Sequence, residues 1–360
     1  MLIEVFEKLE DVRPIESERC LVLITEDLWE KKHVLKANLE CRDFYGVVVP
    51  YIISNRKFLG SGILVFSLDN GAKVEITPLD KPEESLKSLR TFKTILLFVD
   101  GISPFIDTFV SKLNQIFEDS KVKILGTGGG FKKLSKEPCL FDGEKAFKDC
   151  ALLVGVNCEV DVSIGHGWKP IHGPLVVTKS KDNLIYEING EPALKVYKRA
   201  LKEIANVEIS KENFCEVAHA FPLGIVSLRD KECILRNFIG FEGDALIVAS
   251  SIPVFSSVFI MKGEKEELID ASCKVSWEVF SKSQGKVAIL FDCVSRIFSL
   301  GEDGLKEEID RIFLCAGRKD IKVFGVSGVG NITNANYDEV KFLNKTILMG
   351  VFKDEGLRSS

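Results

Sequence analysis

Apolar residues recur at two periods along this chain. Short runs rich in Val, Ile and Phe predict strands over 20–24, 45–53, 62–68, 94–99, 121–125, 151–158, 174–178, 225–227, 246–251, 254–261, 286–292, 322–326 and 346–352. Between them lie stretches with helical spacing. Ile106, Phe109, Leu113 and Ile116 return at steps of three and four, behind Ser103 as a cap and Pro104 as an opener. Leu194, Tyr197, Leu201 and Ile204 repeat the pattern after Pro192, and 268–280 and 305–313 are two further helices. Most strands are apolar on both faces, so their sheets must be covered by helices. The expected fold is α+β, with two closely packed domains of mixed β-sheet covered by helices. The tight-turn pair Asn189–Gly190 puts the division between 20–190 and 191–352. No short-period repeat and no low-complexity linker interrupts the pattern.

Length and charge narrow the function classes. A chain of 360 residues exceeds the usual span of one core, which favours two domains over one. Its net charge of −5 supplies no field to gather nucleic acid or an anionic membrane. The longest uncharged run, 245–261, is broken by Pro253 and reads as two strands rather than a membrane span. The N-terminus lacks the basic start and apolar centre of a secretory leader, so a cytoplasmic protein is expected. Ten cysteines without a Cys-x-x-Cys pair then read as reduced thiols filling apolar space.

Most chemical motifs fail on inspection. LGTGGGF has Phe131 where a dinucleotide loop needs glycine, so Gly128, Gly129 and Gly130 indicate close backbone approach, to a neighbouring strand or to a ligand. GVSGV ends in Val329 where a nucleophile elbow needs glycine. No complete catalytic constellation is present, and no enzyme is expected. His166, His172 and His219 match no zinc spacing; haem ligation by one of them stays open as an alternative, with no cofactor otherwise expected. Two of these histidines lie in SIGHGWKPIHGP, 163–174, whose glycines and prolines exclude a helix and suggest a rigid connector.

That segment begins a longer pattern. Gly167-Trp168-Lys169-Pro170, then Val177-Thr178, then Pro192-Ala193-Leu194 with Tyr197, resembles the junction of the FIST family of F-box and intracellular signal transduction proteins. Upstream, the Gly128–Gly130 turn stands where that family carries a glycine-rich turn, and YGVVVPYII takes the place of its early strand and loop. There Val49, Pro50 and Tyr51 replace the family's small residues. Downstream, FPLGI, LRN through Arg236, EGDALIVASSIP, FDCVSR through Arg296 and FLNKT through Asn344 follow in order, extending the resemblance over 20–352. One departure is Asn331, where a glutamate is common; the amide removes a charge and adds donors, which favours a neutral or carboxylate-bearing ligand.

The resemblance implies a sensory protein that binds a small ligand, an amino acid or small carboxylate, and passes the event to a separate signalling output protein. The residues it nominates for the ligand are Arg236 and Arg296 as carboxylate grips, Asn331, Trp168 and the Gly128, Gly129 and Gly130 backbone. The plainer reading of each arginine, a structural salt bridge or a carbonyl-capping role, weighs slightly more than ligand binding. A haem-based gas sensor and a ligand-free interaction scaffold remain as alternatives.

Overall fold

Glycine stands at the fourth position of three strands that otherwise share only apolar character: Asp43–Val49, Lys123–Gly129 and Lys322–Gly328. Each glycine is register-paired with a parallel neighbour, Gly46 with Val22, Gly126 with Leu97 and Gly325 with Leu290. A Cβ would lie 1.7 Å from the Leu97 carbonyl oxygen at Gly126 and 1.9 Å from that of Leu290 at Gly325; at Gly46 it would meet the Phe141 ring at 2.1 Å. These coincidences belong to a threefold internal repeat in the chain, seen here in a computed structural model that describes residues 1–15, 17–226, 233–353 and the backbone of 358–359.

The first repeat holds β1 (Leu2–Phe6), β2 (Arg19–Thr25), α1 (Lys32–Leu39), β3 (Asp43–Val49), the hairpin β4 (Tyr51–Ser54) and β5 (Lys57–Leu59), and β6 (Ile63–Leu68). The second holds β7 (Lys73–Pro78), α2 (Glu83–Ser88), β8 (Thr94–Asp100), α3 (Ile106–Phe117), β9 (Lys123–Gly129), the hairpin β10 (Leu140–Asp142) and β11 (Ala146–Phe147), and β12 (Cys150–Val156). The third opens with β13 (Val160–Gly165) and then admits an insertion. That insertion comprises β14 (Lys169–Lys181), β15 (Leu184–Ile188), β16 (Glu191–Pro192), α4 (Ala193–Ala205), α5 (Phe214–Ala220), β17 (Leu223–Val226), β18 (Ile234–Arg236), β19 (Phe238–Glu242), β20 (Ala245–Val248) and β21 (Ser257–Lys262). It resumes with α6 (Lys265–Lys282), β22 (Val287–Cys293), α7 (Val294–Cys315), β23 (Lys322–Gly328), the hairpin β24 (Asn331–Thr333) and β25 (Lys341–Leu343), and β26 (Ile347–Phe352).

Three sheets follow one plan. Their orders are β11-β10-β3-β2-β6-β1, β25-β24-β9-β8-β12-β7 and β5-β4-β23-β22-β26-β13, the first lengthened by Arg358–Ser359 beside β1. Each centres on a parallel pair joined through a helix, flanked on one side by antiparallel strands of its own repeat and on the other by a hairpin taken from another repeat. The first repeat lends its hairpin to the third, the second to the first and the third to the second. The sheets therefore cross residue 190, although the family resemblance changes domain there. Apolar side chains from all three, among them Val22, Leu64, Leu96, Leu152, Ile289 and Leu348, meet in the largest core, where Phe98 and Phe291 pack edge to face at 6.0 Å. The insertion forms a fourth sheet with its own core beneath α4 and α5.

Several expected bounds shift for local reasons. The strand over 45–53 is two strands in two sheets, divided at Pro50, which has no backbone donor. The strand expected from 254 starts at Ser257, after a turn in which Phe255 adopts φ +67° and Ser256 N–H bonds the Pro253 carbonyl. Helix α3 starts at Ile106, with Phe105 rather than Ser103 at the N-cap; Ser103 Oγ donates to Asp149 (2.6 Å) and accepts from Phe105 N–H (3.3 Å) just before it. The helix over 305–313 extends back to Val294, leaving helical geometry once, at Gly301 (φ +65°). Ser227, at the end of an expected strand, lies outside the described residues. The connector KPIHGP is itself a strand, β14. Its first half pairs on one side only, with β21, and is bulged twice, so the missing donors of Pro170 and Pro174 break no ladder. The cysteines are not uniformly free thiols: Cys273 and Cys315 are joined, linking α6 to α7.

Candidate functional site

The carboxyl end of β22 runs straight into α7, which sets Asp292 and Arg296 four residues apart on one face. Their ion pair is 2.9 Å and wholly buried. Arg296 Nη1 donates to the His166 carbonyl (2.6 Å), and Nη2 to the Leu268 carbonyl (3.0 Å), to Ser272 Oγ (2.8 Å) and to Glu308. Ser272 Oγ in turn donates to Glu308. Burial opposes the Arg296 charge, but Glu308 and Asp292 outweigh it and its pKa is raised. Burial first, and then Glu308, push the Asp292 carboxyl well above the usual carboxylate range. One guanidinium thus ties the GHGW segment to α6 and α7. All three of its nitrogens are engaged, so the expectation that Arg296 grips a ligand carboxylate is corrected: it is a structural hub.

The other nominated residues sit elsewhere. Arg236, at the end of β18, donates to the Leu235 (3.2 Å) and Phe342 (3.0 Å) carbonyls, while its Nε finds no partner among the described residues. Burial lowers its pKa to about 10 against the pull of Asp107 and Tyr337. Asn331 directs Nδ2 at the carbonyls of Phe291 (3.2 Å) and Thr346 (2.9 Å) and at Thr346 Oγ1 (3.1 Å). Two facing carbonyls require the donor end there, which fixes the amide orientation. Its Oδ1 alone remains unpartnered among the described residues. The expectation that the amide adds donors is therefore reversed, because the position presents a neutral acceptor.

The glycine turn also resolves. A Cβ at Gly128 would stand 2.2 Å from the Val329 carbonyl oxygen, and one at Gly129 2.6 Å from Val47 Cγ1. Gly128 N–H bonds the Gly330 carbonyl and Gly130 N–H the Val48 carbonyl. Neighbouring strands, not a ligand, occupy the space that these glycines leave open.

Trp168 is buried and also walls a cavity. Lys345 Nζ lies 4.8 Å from its ring on the protein side, and Trp168 N–H donates to His166 Nδ1 (2.9 Å). The cavity, about 530 Å³, is bounded by 164–169, by Val226 and Cys233, and by one face of α6 bearing Glu267, Asp270, Ala271, Lys274, Val275 and Glu278. Its volume falls in the range of small-molecule sites. Gly167 must be glycine, with φ +86° and a Cβ position 2.5 Å from the Glu267 carbonyl oxygen. Burial, then Arg296 and Lys274, pull the His166 pKa down to about 4, so the ring is neutral near pH 7. With Nδ1 accepting, the proton resides on Nε2, a buried donor that makes no full hydrogen bond among the described residues; the Cys233 backbone beside the ring pulls its pKa up only a little against burial. Charges of both signs surround it: Lys169 pairs with Glu267, Glu278 accepts from Ser163 Oγ (2.7 Å), and Asp270 faces Arg311 (3.5 Å).

Of the seven nominated residues, Trp168 lines this cavity; Arg236, Arg296, Asn331, Gly128, Gly129 and Gly130 do not. The polar face of α6 was missed in the sequence. Its signal was there, in Glu267, Asp270, Lys274 and Glu278 at steps of three and four, but it reads as any solvated helix face until GHGW is placed against it. His172 lies half-buried on β14, and His219 is half-buried beside Phe298. Among the described residues no group of three or more His, Cys, Asp and Glu is arranged to hold a metal ion, and no helix is long and apolar enough to cross a membrane. Compared with known protein families, residues 23–191 match the FIST N domain and residues 193–334 the FIST C domain. No curated protein matches the chain.

Proposed function

The chain belongs to the FIST family, whose domains are sensory domains of signal transduction rather than catalytic ones, and from that premise we propose that it binds an amino acid or small carboxylate in the cavity between GHGW and α6. The observation that carries this reading is His166 Nε2–H, a neutral buried donor on the cavity wall that makes no full hydrogen bond among the described residues, the Cys233 backbone being a weak partner at best. A ligand carboxylate satisfies it without the cost of burying a second cation, and Glu267 and Glu278 on the rim favour a ligand that also carries an ammonium group. Trp168 supplies a rigid apolar wall.

Arg296 offers a route for the response. It holds the His166 carbonyl, the first turn of α6 and Glu308 of α7 at once, so displacement of either cavity wall is felt in α7. A separate output protein inside the cell would read that change. The test is a thermal-shift screen against the amino acids and small carboxylates. A ligand at 100 times its Kd should add roughly 2.7 kcal/mol, and Lys274→Glu, a surface change on the rim, should alter which members of the panel act. No shift across the whole panel defeats the proposal.

A further inference from the structure

Cys273 lies midway along α6 and Cys315 is the last residue of α7; they are bonded to each other, with Cα atoms 5.3 Å apart, while the remaining eight cysteines form no disulfide. Both are half-buried. The side chains beside them point outward, Trp277 at 61% exposure one turn beyond Cys273 and Leu314 at 72% immediately before Cys315. A disulfide reachable from solvent is open to attack by a thiolate, whereas one sealed in a core is not.

We propose that Cys273–Cys315 is a reversible thiol–disulfide modification site, reduced by a protein dithiol of the Cys-x-x-Cys class, and that its state sets how firmly α6 is held against α7. One thiolate of the dithiol attacks a sulfur of the pair, the Cys273–Cys315 bond breaks, and a mixed disulfide forms. The second thiol of the reductant then displaces the chain. Two electrons and two protons pass to Cys273 and Cys315, and the reductant leaves as its own disulfide.

Reduction removes one of several links between the helices. Ser272 Oγ still reaches Glu308, Ser276 Oγ still donates to the Ile312 carbonyl (2.7 Å), and Arg296 still holds Leu268. Val275, Val279, Ile309 and Ile312 keep a shared core. The reduced chain therefore stays folded with a less constrained α6. Because Cys273 sits between Asp270 and Lys274 of the cavity wall, the same step alters the cavity; that consequence rests on the ligand reading above, whereas the thiol chemistry does not.

The experiment needs no ligand. Full-length protein purified without reductant, denatured and alkylated, should carry eight modified cysteines. After native incubation with a Cys-x-x-Cys dithiol protein it should carry two more, at 273 and 315, at a rate proportional to the dithiol concentration. Hydrogen exchange should then show lost protection within 265–282 and 308–315. Cys273→Ser with Cys315→Ser should reproduce that loss without reductant while circular dichroism stays native-like. Ten modified cysteines even after mild oxidation with diamide overturn the proposal. So does release of the pair only under denaturing conditions, or unchanged exchange on reduction. A silent ligand screen leaves each of these outcomes intact.

Discussion

At the scale of single residues, what a side chain offers depends on which of its atoms are already engaged. Asn331 and Arg296 carry obvious chemistry, yet the donors of both are occupied by the chain, and Asn331 keeps only an acceptor. His166 is the reverse case, with one ring nitrogen used and the other making no full hydrogen bond among the described residues. Its titration is testable. The ring has a pKa of about 4 in the folded chain against an ordinary 6.5. Between those values an unfolded chain takes up a proton that the native one refuses, so stability falls as pH drops through that window. It is level above pH 6.5 and again below pH 4. Urea denaturation should show about 2 kcal/mol lost to this group by pH 5. His166→Gln, whose amide oxygen can still accept from Trp168 N–H, should lack that component, and the difference between the two proteins separates it from His219, which shifts in the same direction.

Among elements, the repeated glycine strands are the feature with the strictest demand. Gly126 and Gly325 have no room for a methyl because a backbone carbonyl of the parallel neighbour stands under each, and backbone cannot rotate away as a side chain can. Gly126→Ala and Gly325→Ala should each cost ~3 kcal/mol or more. Gly60→Ala, where the nearest atom is the end of Lys132 at 3.9 Å, is the matched control and should change little. Chemical denaturation of the three variants checks this; equal stabilities would mean that the parallel strands sit farther apart. Helices α3, α4, α6 and α7 and about half of the strands were readable from periodicity because an apolar stripe is a local property; α1, α2 and α5, of six to eight residues, and strands such as β1, β7 and β13 were not read. The hairpin strands β5, β10, β11, β24 and β25 were not, since two or three residues leave no period to detect.

For the whole molecule, exchange of hairpins is decisive. β4 and β5 complete a sheet whose centre is β22 and β23, while β24 and β25 complete one centred on β8 and β9. Neither half of the chain contains all the strands of its own sheets. Expressed alone, 1–191 and 192–360 should show no cooperative thermal transition, and co-expression should restore one. Independent melting of the first fragment would mean that its edge strands close without the second.

The sequence by itself determined where strands and helices alternate, that the sheets are covered, and the order of segments that mark the FIST family, because each is written in neighbouring residues. The threefold sheet plan, the Cys273–Cys315 link and the cavity behind GHGW were decided by the tertiary structure alone. Each depends on contacts between segments tens to hundreds of residues apart, and a carbonyl 1.7 Å from an absent methyl, or a guanidinium already held by five partners, has no trace in local spacing.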